Sequence, residues 1–414
     1  MMTKNSILSV YLRLSRTLLS VGCTAYELSL ALLTFSRLSN QPKVQSLPFP
    51  NTIILSLETS NPDTVLDRFE SKPLNARLLS GIEALLLKAK PSEFHVDHFL
   101  TSVDKLFDHP LRHRWLGLLA CVVQCFATAR FFGGDWAACV YAGVASALSY
   151  ATFLYFSERK LNFFLLEILT AFVAGGVAMG ASHLWGPTQT PLAMLCASVI
   201  WCIPGILMMV SFSNLFHGFI TSALNYFAKT TLVLFALLLG LTPALLAVKD
   251  LVTASAISPE IDWVWAGLAS LACAYRFEAV GKLLFSSFLL GAIGHGLRAV
   301  LLLCFGFDVV TATFLGALAV GLVVALLFSQ NRLLIVYAIT IGIIPLVPGA
   351  LLLKAFHELM SIAMMGGQIS SVVLTEGIGN LFQAIMQVVF LAIGGILPTT
   401  IWQWFIAQRA SSKT

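Results

Sequence analysis

Arg298 and His295 stand three residues apart inside a long apolar stretch. At helical spacing the two share one face. A guanidinium at membrane depth costs about 2.5–3.5 kcal/mol on insertion scales, so it must face a cavity or a partner. The pair suits a carboxylate ligand, with Arg298 as the anchor and His295 as hydrogen-bond donor or proton carrier. The plainer reading is an arginine that snorkels to an interface shortly before Asp308. Gly294 and Gly296 flank the histidine and permit close backbone approach. Glu167 lies about 10 Å deep, counting helical rise from Lys160. It is a second proton-coupling candidate, or an interfacial partner of Arg159 or Lys160. Two Pro-Gly pairs, Pro204-Gly205 and Pro348-Gly349, interrupt apolar runs. Proline removes a backbone hydrogen bond, and the freed groups must be met by protein or cavity water. A half-helix restarting there offers N–H groups and positive charge to a carboxylate. A packing kink is the competing account. Asp135, at a span start, reads first as a helix N-cap. Lys354 and Glu358 read as an i, i+4 pair at a helix end.

Other chemistry is missing. The chain contains no HExxH, Walker A, GxGxxG or Ser–His–Asp pattern, so neither an enzyme nor an ATP-driven pump is expected, and no cofactor. The eight cysteines form no CxxC pair, and most sit in apolar runs, so they read as packing rather than metal ligands. The net charge of +5 comes without a basic run, which argues against nucleic acid as a partner.

The elements that position these residues follow from composition. The 414 residues are 58% hydrophobic and 11% charged, against roughly 25% charged in soluble domains. Residues 1–114 hold 13 of the 25 Lys and Arg and 10 of the 20 Asp and Glu. The expected fold is an all-α polytopic membrane protein behind a small N-terminal α+β soluble domain. In that domain the pattern predicts a helix over Ser6–Leu38 with a break at Gly22, and loop or edge strand over Asn40–Pro50. It predicts a strand at Thr52–Leu57, a turn at Asn61-Pro62-Asp63, and helices at Leu74–Ala89 and Phe94–Phe107. Ten spans are expected in the lipid bilayer, at 115–132, 136–157, 161–184, 191–213, 230–248, 262–275, 283–304, 309–328, 333–356 and 378–405. Lys and Arg fall in alternate loops, which places both termini in the cytoplasm of an inner or plasma membrane protein.

The ten spans divide into two halves of five, 115–255 and 256–414. The fourth span of each half carries the Pro-Gly pair, and the fifth carries Pro243 or Pro398. A five-span unit repeated in tandem inserts its second copy upside down, as in secondary transporters built from inverted repeats.

These residues also carry a family likeness. The chain resembles the threonine/serine exporter (ThrE) family and its two-component relatives. In the first half the likeness rests on Leu18-Leu19-Ser20-Val21-Gly22-Cys23 with Glu27 following, on Phe132-Gly133-Gly134-Asp135-Trp136, and on Ile203-Pro204-Gly205 followed by Asn214 and Gly218. In the second half it rests on Gly291 to Arg298 and on Ile344-Pro345-Leu346-Val347-Pro348-Gly349. The resemblance implies a fused form of the two-component exporter, with a half-boundary near residues 250–260. It also implies export of small carboxylate-bearing metabolites, threonine and serine or succinate. Glu27 is then a structural residue of the soluble domain or its contact with the membrane part. One departure stands out: Asn214, Ser222 and Asn225 occupy positions where the family pattern has Asp, Gly and Arg.

The resulting expectation is a secondary transporter of a small amino or carboxylic acid, proton-coupled, working by alternating access around the two breaks, and potentially a homo-oligomer. Two rivals stay open: a passive channel or facilitator, and a membrane-anchored regulator or enzyme acting through residues 1–114.

Overall fold

The structure, a computed structural model, describes residues 4–49, 51–60, 62–69, 74–108, 114–248, 262–364 and 371–411. Helices α1 (Lys4–Ser20) and α2 (Ala25–Ser39) are the amphipathic stretch expected at the start, divided at Gly22. Gly22 has φ +95°, and a Cβ there would lie 2.9 Å from the Leu74 backbone, so the joint requires glycine. A capping box opens α2: Glu27 N–H donates to Thr24 Oγ1 at 3.1 Å, and Thr24 N–H to Glu27 Oε2 at 2.9 Å. Strands β1 (Val44–Pro48), β2 (Thr52–Leu57) and β3 (Thr64–Arg68) form an antiparallel sheet in that order. Leu55 pairs with Ser46 on one side and Val65 on the other. The alternation of β2 sends Ile53, Leu55 and Leu57 into the domain core. β3 is an addition to the sequence reading. The expected turn at Asn61-Pro62-Asp63 begins at a residue outside the described ones. Helices α3 (Ala76–Lys88) and α4 (Val96–Phe107) complete the domain. Arg13 on α1 pairs with Asp104 on α4.

The membrane part continues with α5 (Arg114–Phe131), α6 (Trp136–Glu158), α7 (Phe163–Trp185), α8 (Pro191–Val199), α9 (Gly205–Phe216) and α10 (Ile220–Ala247). The second half holds α11 (Asp262–Arg276), α12 (Lys282–Leu303), α13 (Val309–Leu327), α14 (Ile335–Ile343), α15 (Gly349–Met364) and α16 (Ser371–Ser411). Among the described residues, six single helices are long and apolar enough to cross a bilayer: α6, α7, α10, α12, α13 and α16. With α8–α9 and α14–α15 each counted as one bent span, the number rises to eight. Length and composition thus support six to eight of the expected ten. The spans expected at 115–132 and 262–275 are helices, but each falls short on length or apolarity. α5 carries Arg114, Gln124 and Arg130, and α11 has 15 described residues between Asp262 and Arg276. The half-boundary expected near 250–260 lies outside the described residues.

The two halves repeat in the spacing of their elements. The interval from Trp136 to Lys282, which open α6 and α12, equals that from Phe163 to Val309, which open α7 and α13. Arg130-Phe131 end or overrun α5 just as Arg276-Phe277 do α11, at the same interval. The packing repeats too. A Cβ on Gly240 of α10 would lie 2.3 Å from Ile168 O and 2.7 Å from Ala171 Cβ. A Cβ on Gly394 of α16 would lie 2.7 Å from Phe314 O and 3.1 Å from Ala317 Cβ. Ile168 and Phe314 are equivalent positions of α7 and α13, as are Ala171 and Ala317. Such close crossings are how helices associate in lipid, where burial of apolar surface gives no drive.

The opening helices of the two halves contact one another in reversed order. Phe126, toward the end of α5, lies 6.0 Å ring to ring from Trp265 at the start of α11. Cys121 and Gln124, earlier in α5, neighbour Arg276 and Cys273 at the end of α11. α5 and α11 are therefore antiparallel across the interface between the halves.

These crossings yield a stability prediction. Alanine at Gly240 or Gly394 overpacks a backbone contact and should cost about 1–3 kcal/mol. Gly180 has nothing within 4 Å of its Cβ direction, so Gly180→Ala is the neutral control. Thermal unfolding in detergent checks this; equal midpoints for all three variants would count against the crossings.

Candidate functional site

In the first break α8 tightens into a 3-10 turn, Ile200–Cys202, and α9 restarts after Pro204 with a bend of 63°. In the second, α14 tightens into Ile344–Leu346, and α15 restarts after Pro348 with a bend of 58°. The two have the same local bonding. Gly205 N–H folds back to Ile203 O and Gly349 N–H to Val347 O, each at 2.8 Å. Helical bonding resumes with Met208 N–H on Pro204 O and Leu352 N–H on Pro348 O, each at 3.0 Å. The N–H groups of Ile206 and Leu207, and of Ala350 and Leu351, fall in first turns, where a helix supplies no acceptor of its own. No side chain caps α9.

The breaks face one another. A Cβ on Gly205 would find Ile344 Cγ1 at 3.9 Å and Thr340 Cγ2 at 4.0 Å. A Cβ on Gly349 would find Cys196 Sγ at 2.9 Å and Ile203 Cδ1 at 3.8 Å. Each restarting helix thus abuts the helix that leads into the other break. Both restarting N-termini lie at the crossing of the two halves, and their dipoles favour an anion there.

His295 and Arg298 gather at the second break. His295 is buried, its ring 5.0 Å from that of Phe131 and beside the Pro345 carbonyl of the 3-10 turn. Gly294 lies against Gly342 O of α14, and the stem of Arg298 lies against Gly316 of α13. Arg298 makes no ion pair among the described residues, and its buried Nε has no hydrogen-bond partner. Glu167 belongs to the other break: it neighbours Cys202 and faces Lys229 of α10, rather than Arg159 or Lys160. The structure therefore separates the two proton-coupling candidates.

The remaining candidates have local roles. Asp135 caps α6 through Ala138 N–H at 2.8 Å and also accepts from Thr188 Oγ1 at 2.7 Å and Gln189 N–H at 3.0 Å. Partial burial raises its carboxyl, but these hydrogen bonds outweigh it and hold the group below the ordinary carboxylate value. Gly133 has φ +77°, and a Cβ on Gly134 would strike Ala129 O at 2.6 Å, so both glycines serve the turn. Gly218 has φ +82° after α9. Asn214 is fully buried, and neither polar atom of its side chain has a hydrogen-bond partner among the described residues. Ser222 donates to Pro48 O, and Asn225 to Thr221 O at 2.9 Å. Lys354 and Glu358 pair at 3.7 Å.

Two groups escape the sequence reading. Arg276 lies over the Trp201 ring at 5.5 Å, against the first break, where the sequence suggests only a loop charge. Its signal is the paired Arg-Phe dipeptides of the two halves. The second group is a junction between the N-terminal domain and the core. Tyr26 stacks on His217 at 3.5 Å and donates to Gln403 Oε1 at 2.8 Å. Ala76 N–H donates to Phe277 O at 2.9 Å.

A bundle of long apolar helices with two further spans broken in mid-run is the build of a multi-pass membrane protein, and one that many secondary transporters share. The chain belongs to the threonine/serine exporter family: ThrE matches residues 9–248, and a second threonine/serine exporter model, ThrE_2, matches residues 262–401. It is 21% identical over 370 residues to a probable threonine/serine exporter of Mycobacterium tuberculosis, covering 84% of this chain and 69% of that one. It is 25% identical over 206 residues to the probable succinate transporter subunit YjjP of Escherichia coli, covering 49% of this chain and 79% of that one. The YjjP of Klebsiella aerogenes is 24% identical over the same length. No solved structure matches the chain.

Proposed function

We propose that this chain is a secondary transporter that exports a small amino or carboxylic acid, of the threonine, serine or succinate kind, across the inner or plasma membrane. The observation that carries this reading is the reciprocal contact of the two breaks, Gly205 on the helix leading to Pro348 and Gly349 on the helix leading to Pro204. A carboxylate at that crossing meets the N–H groups of α9 and α15. Arg298, with no ion pair of its own, supplies the counter-charge, and His295 supplies a hydrogen bond. His295 and Glu167, one at each break, are the proton carriers of a coupled cycle. α5 and α11 cross the bilayer with the others, which gives ten spans and puts both termini and the N-terminal domain in the cytoplasm. Half-helix tilting about the Pro-Gly pairs alternates access.

The test is flux from proteoliposomes loaded in turn with threonine, serine and succinate, with and without an imposed pH gradient. Efflux of one of these, accelerated by external acid and abolished by an uncoupler, is expected. Efflux that follows only the concentration gradient would make the protein a facilitator. No efflux of any of the three would remove this substrate class.

A further inference from the structure

Two carboxyl groups of the N-terminal domain are buried against the membrane core. Glu83 on α3 is 4% exposed, and its Oε1 accepts the Leu333 N–H at 2.9 Å. Glu27 on α2 is 3% exposed, and beyond its capping bond it faces the backbone of Val336. Leu333 and Val336 lie in the opening turns of the helical run Arg332–Leu346, which leads into the second break. The first turn of a helix has no N–H acceptors of its own. Asn331, at the cap position here, makes no side-chain cap bond. The N-terminal domain thus supplies from a distance what a local cap supplies elsewhere. Glu27 also lines a cavity of about 10 Å³ with Tyr26, Ser213, His217, Arg332 and Gln403. That is room for one water. Ser213 and His217 end α9, so this carboxyl borders both broken helices.

We propose that Glu27 and Glu83 form a proton-operated clamp, which holds the N-terminal domain on the helix leading into the second break when protonated and releases it when ionised. A protonated carboxyl keeps an acceptor oxygen, so the bond to Leu333 survives protonation. Burial is the largest influence on both groups. It raises Glu27 from 4.5 to about 8 and Glu83 from 4.5 to about 7, against the lowering effect of their backbone hydrogen bonds. The other titratable groups in reach are few. Cys23 and Tyr26 flank Glu27, Arg332 faces Glu83, and His217 faces the cavity from the end of α9. α16 lines the cavity with neutral Ile396, Thr399 and Gln403. Burial in the docked arrangement raises both carboxyl groups, and Glu83 adds to the rise of Glu27, so the docked state holds protons that an exposed carboxyl gives up. The clamp is complete below the ordinary glutamate value of 4.5 and is lost as pH rises through about 7 and then about 8. Its bearing on transport rests on the reading above: an alkaline cytoplasm would free the helix and raise export. The clamp itself does not depend on that reading.

Hydrogen exchange of the full-length protein in nanodiscs tests it. Protection of the amides of Leu333 to Tyr337, corrected for intrinsic exchange, should fall at least tenfold between pH 6 and pH 9. The double variant Glu27→Gln, Glu83→Gln should keep its pH 6 protection at pH 9. Flat protection in the wild type, or an undiminished fall in the double variant, overturns the clamp. If the double variant does not insert, Glu27→Gln alone should move the midpoint toward the lower value of Glu83, and an unmoved midpoint also overturns it. This readout is independent of flux, so a protein that moves none of the three substrates can still show the clamp.

Discussion

Replacing Arg298 by alanine should lower substrate flux about 100-fold in proteoliposomes with matched incorporation, without lowering the thermal midpoint. The two effects separate because the wild-type guanidinium is a burden to the resting protein. It makes no ion pair among the described residues. A cation of this kind costs about 2.5–3.5 kcal/mol to insert, so its removal does not weaken the fold. The substrate loses more. Truncating one partner of a buried, hydrogen-bonded charge pair costs about 2–5 kcal/mol, and 1.4 kcal/mol is about tenfold. Arg298→Lys should recover only part of the loss. Lysine restores the charge but not the planar fork that meets both oxygens of a carboxylate. If Arg298→Ala transports at the wild-type rate, Arg298 is a snorkelling residue and the carboxylate is held by the helix N-termini alone.

Local pattern made much of this architecture legible. Gly22 divides the first helix where expected, Thr52–Leu57 is a strand with those bounds, and both Pro-Gly pairs break their helices. Each is encoded within a few residues, by a backbone restriction or a strict alternation. β3 was hidden because it lies at the sheet edge. Leu66 is exposed there, and Asp67 and Arg68 carry charge, so the hydrophobic alternation that marks a strand is lost. α5 and α11 fall short of a span by length or apolarity because Gln124 and Arg130, which turn inward or cap a turn, dilute α5, and α11 has 15 described residues. The candidate site was harder still. Which charge meets which break depends on how α12 and α7 cross the other helices, and no local pattern encodes a crossing. Hence Glu167 meets Lys229 on α10 rather than its sequence neighbours. The junction of Tyr26, His217 and Gln403 joins positions hundreds of residues apart and is visible only in three dimensions.

The proposed alternating access has a sharper test, through Gly205. The two breaks are equivalent by sequence, since Cys196 precedes Pro204 by the same interval as Thr340 precedes Pro348. They are not equally packed. The Gly349 contact is tight, with Cys196 Sγ 2.9 Å from a would-be Cβ, and the Gly205 contact is loose at 3.9 Å. On the proposed alternating-access reading, the two halves have a counterpart state in which they exchange conformations, and transport is motion between the two. That reading predicts Gly205 tight against Thr340 and Gly349 loose in the counterpart. Gly205→Ala should therefore leave the thermal midpoint of the present state unchanged or slightly raised, because alanine fits and stiffens the unfolded chain. The same methyl group overpacks the counterpart by about 1–3 kcal/mol, so flux should fall roughly tenfold. Gly349→Ala should do the reverse, destabilising the present state, with Cys196→Ala restoring it. Wild-type flux from Gly205→Ala would mean that the crossing does not exchange its packing, and the moving element would then lie elsewhere than at the Pro-Gly pairs.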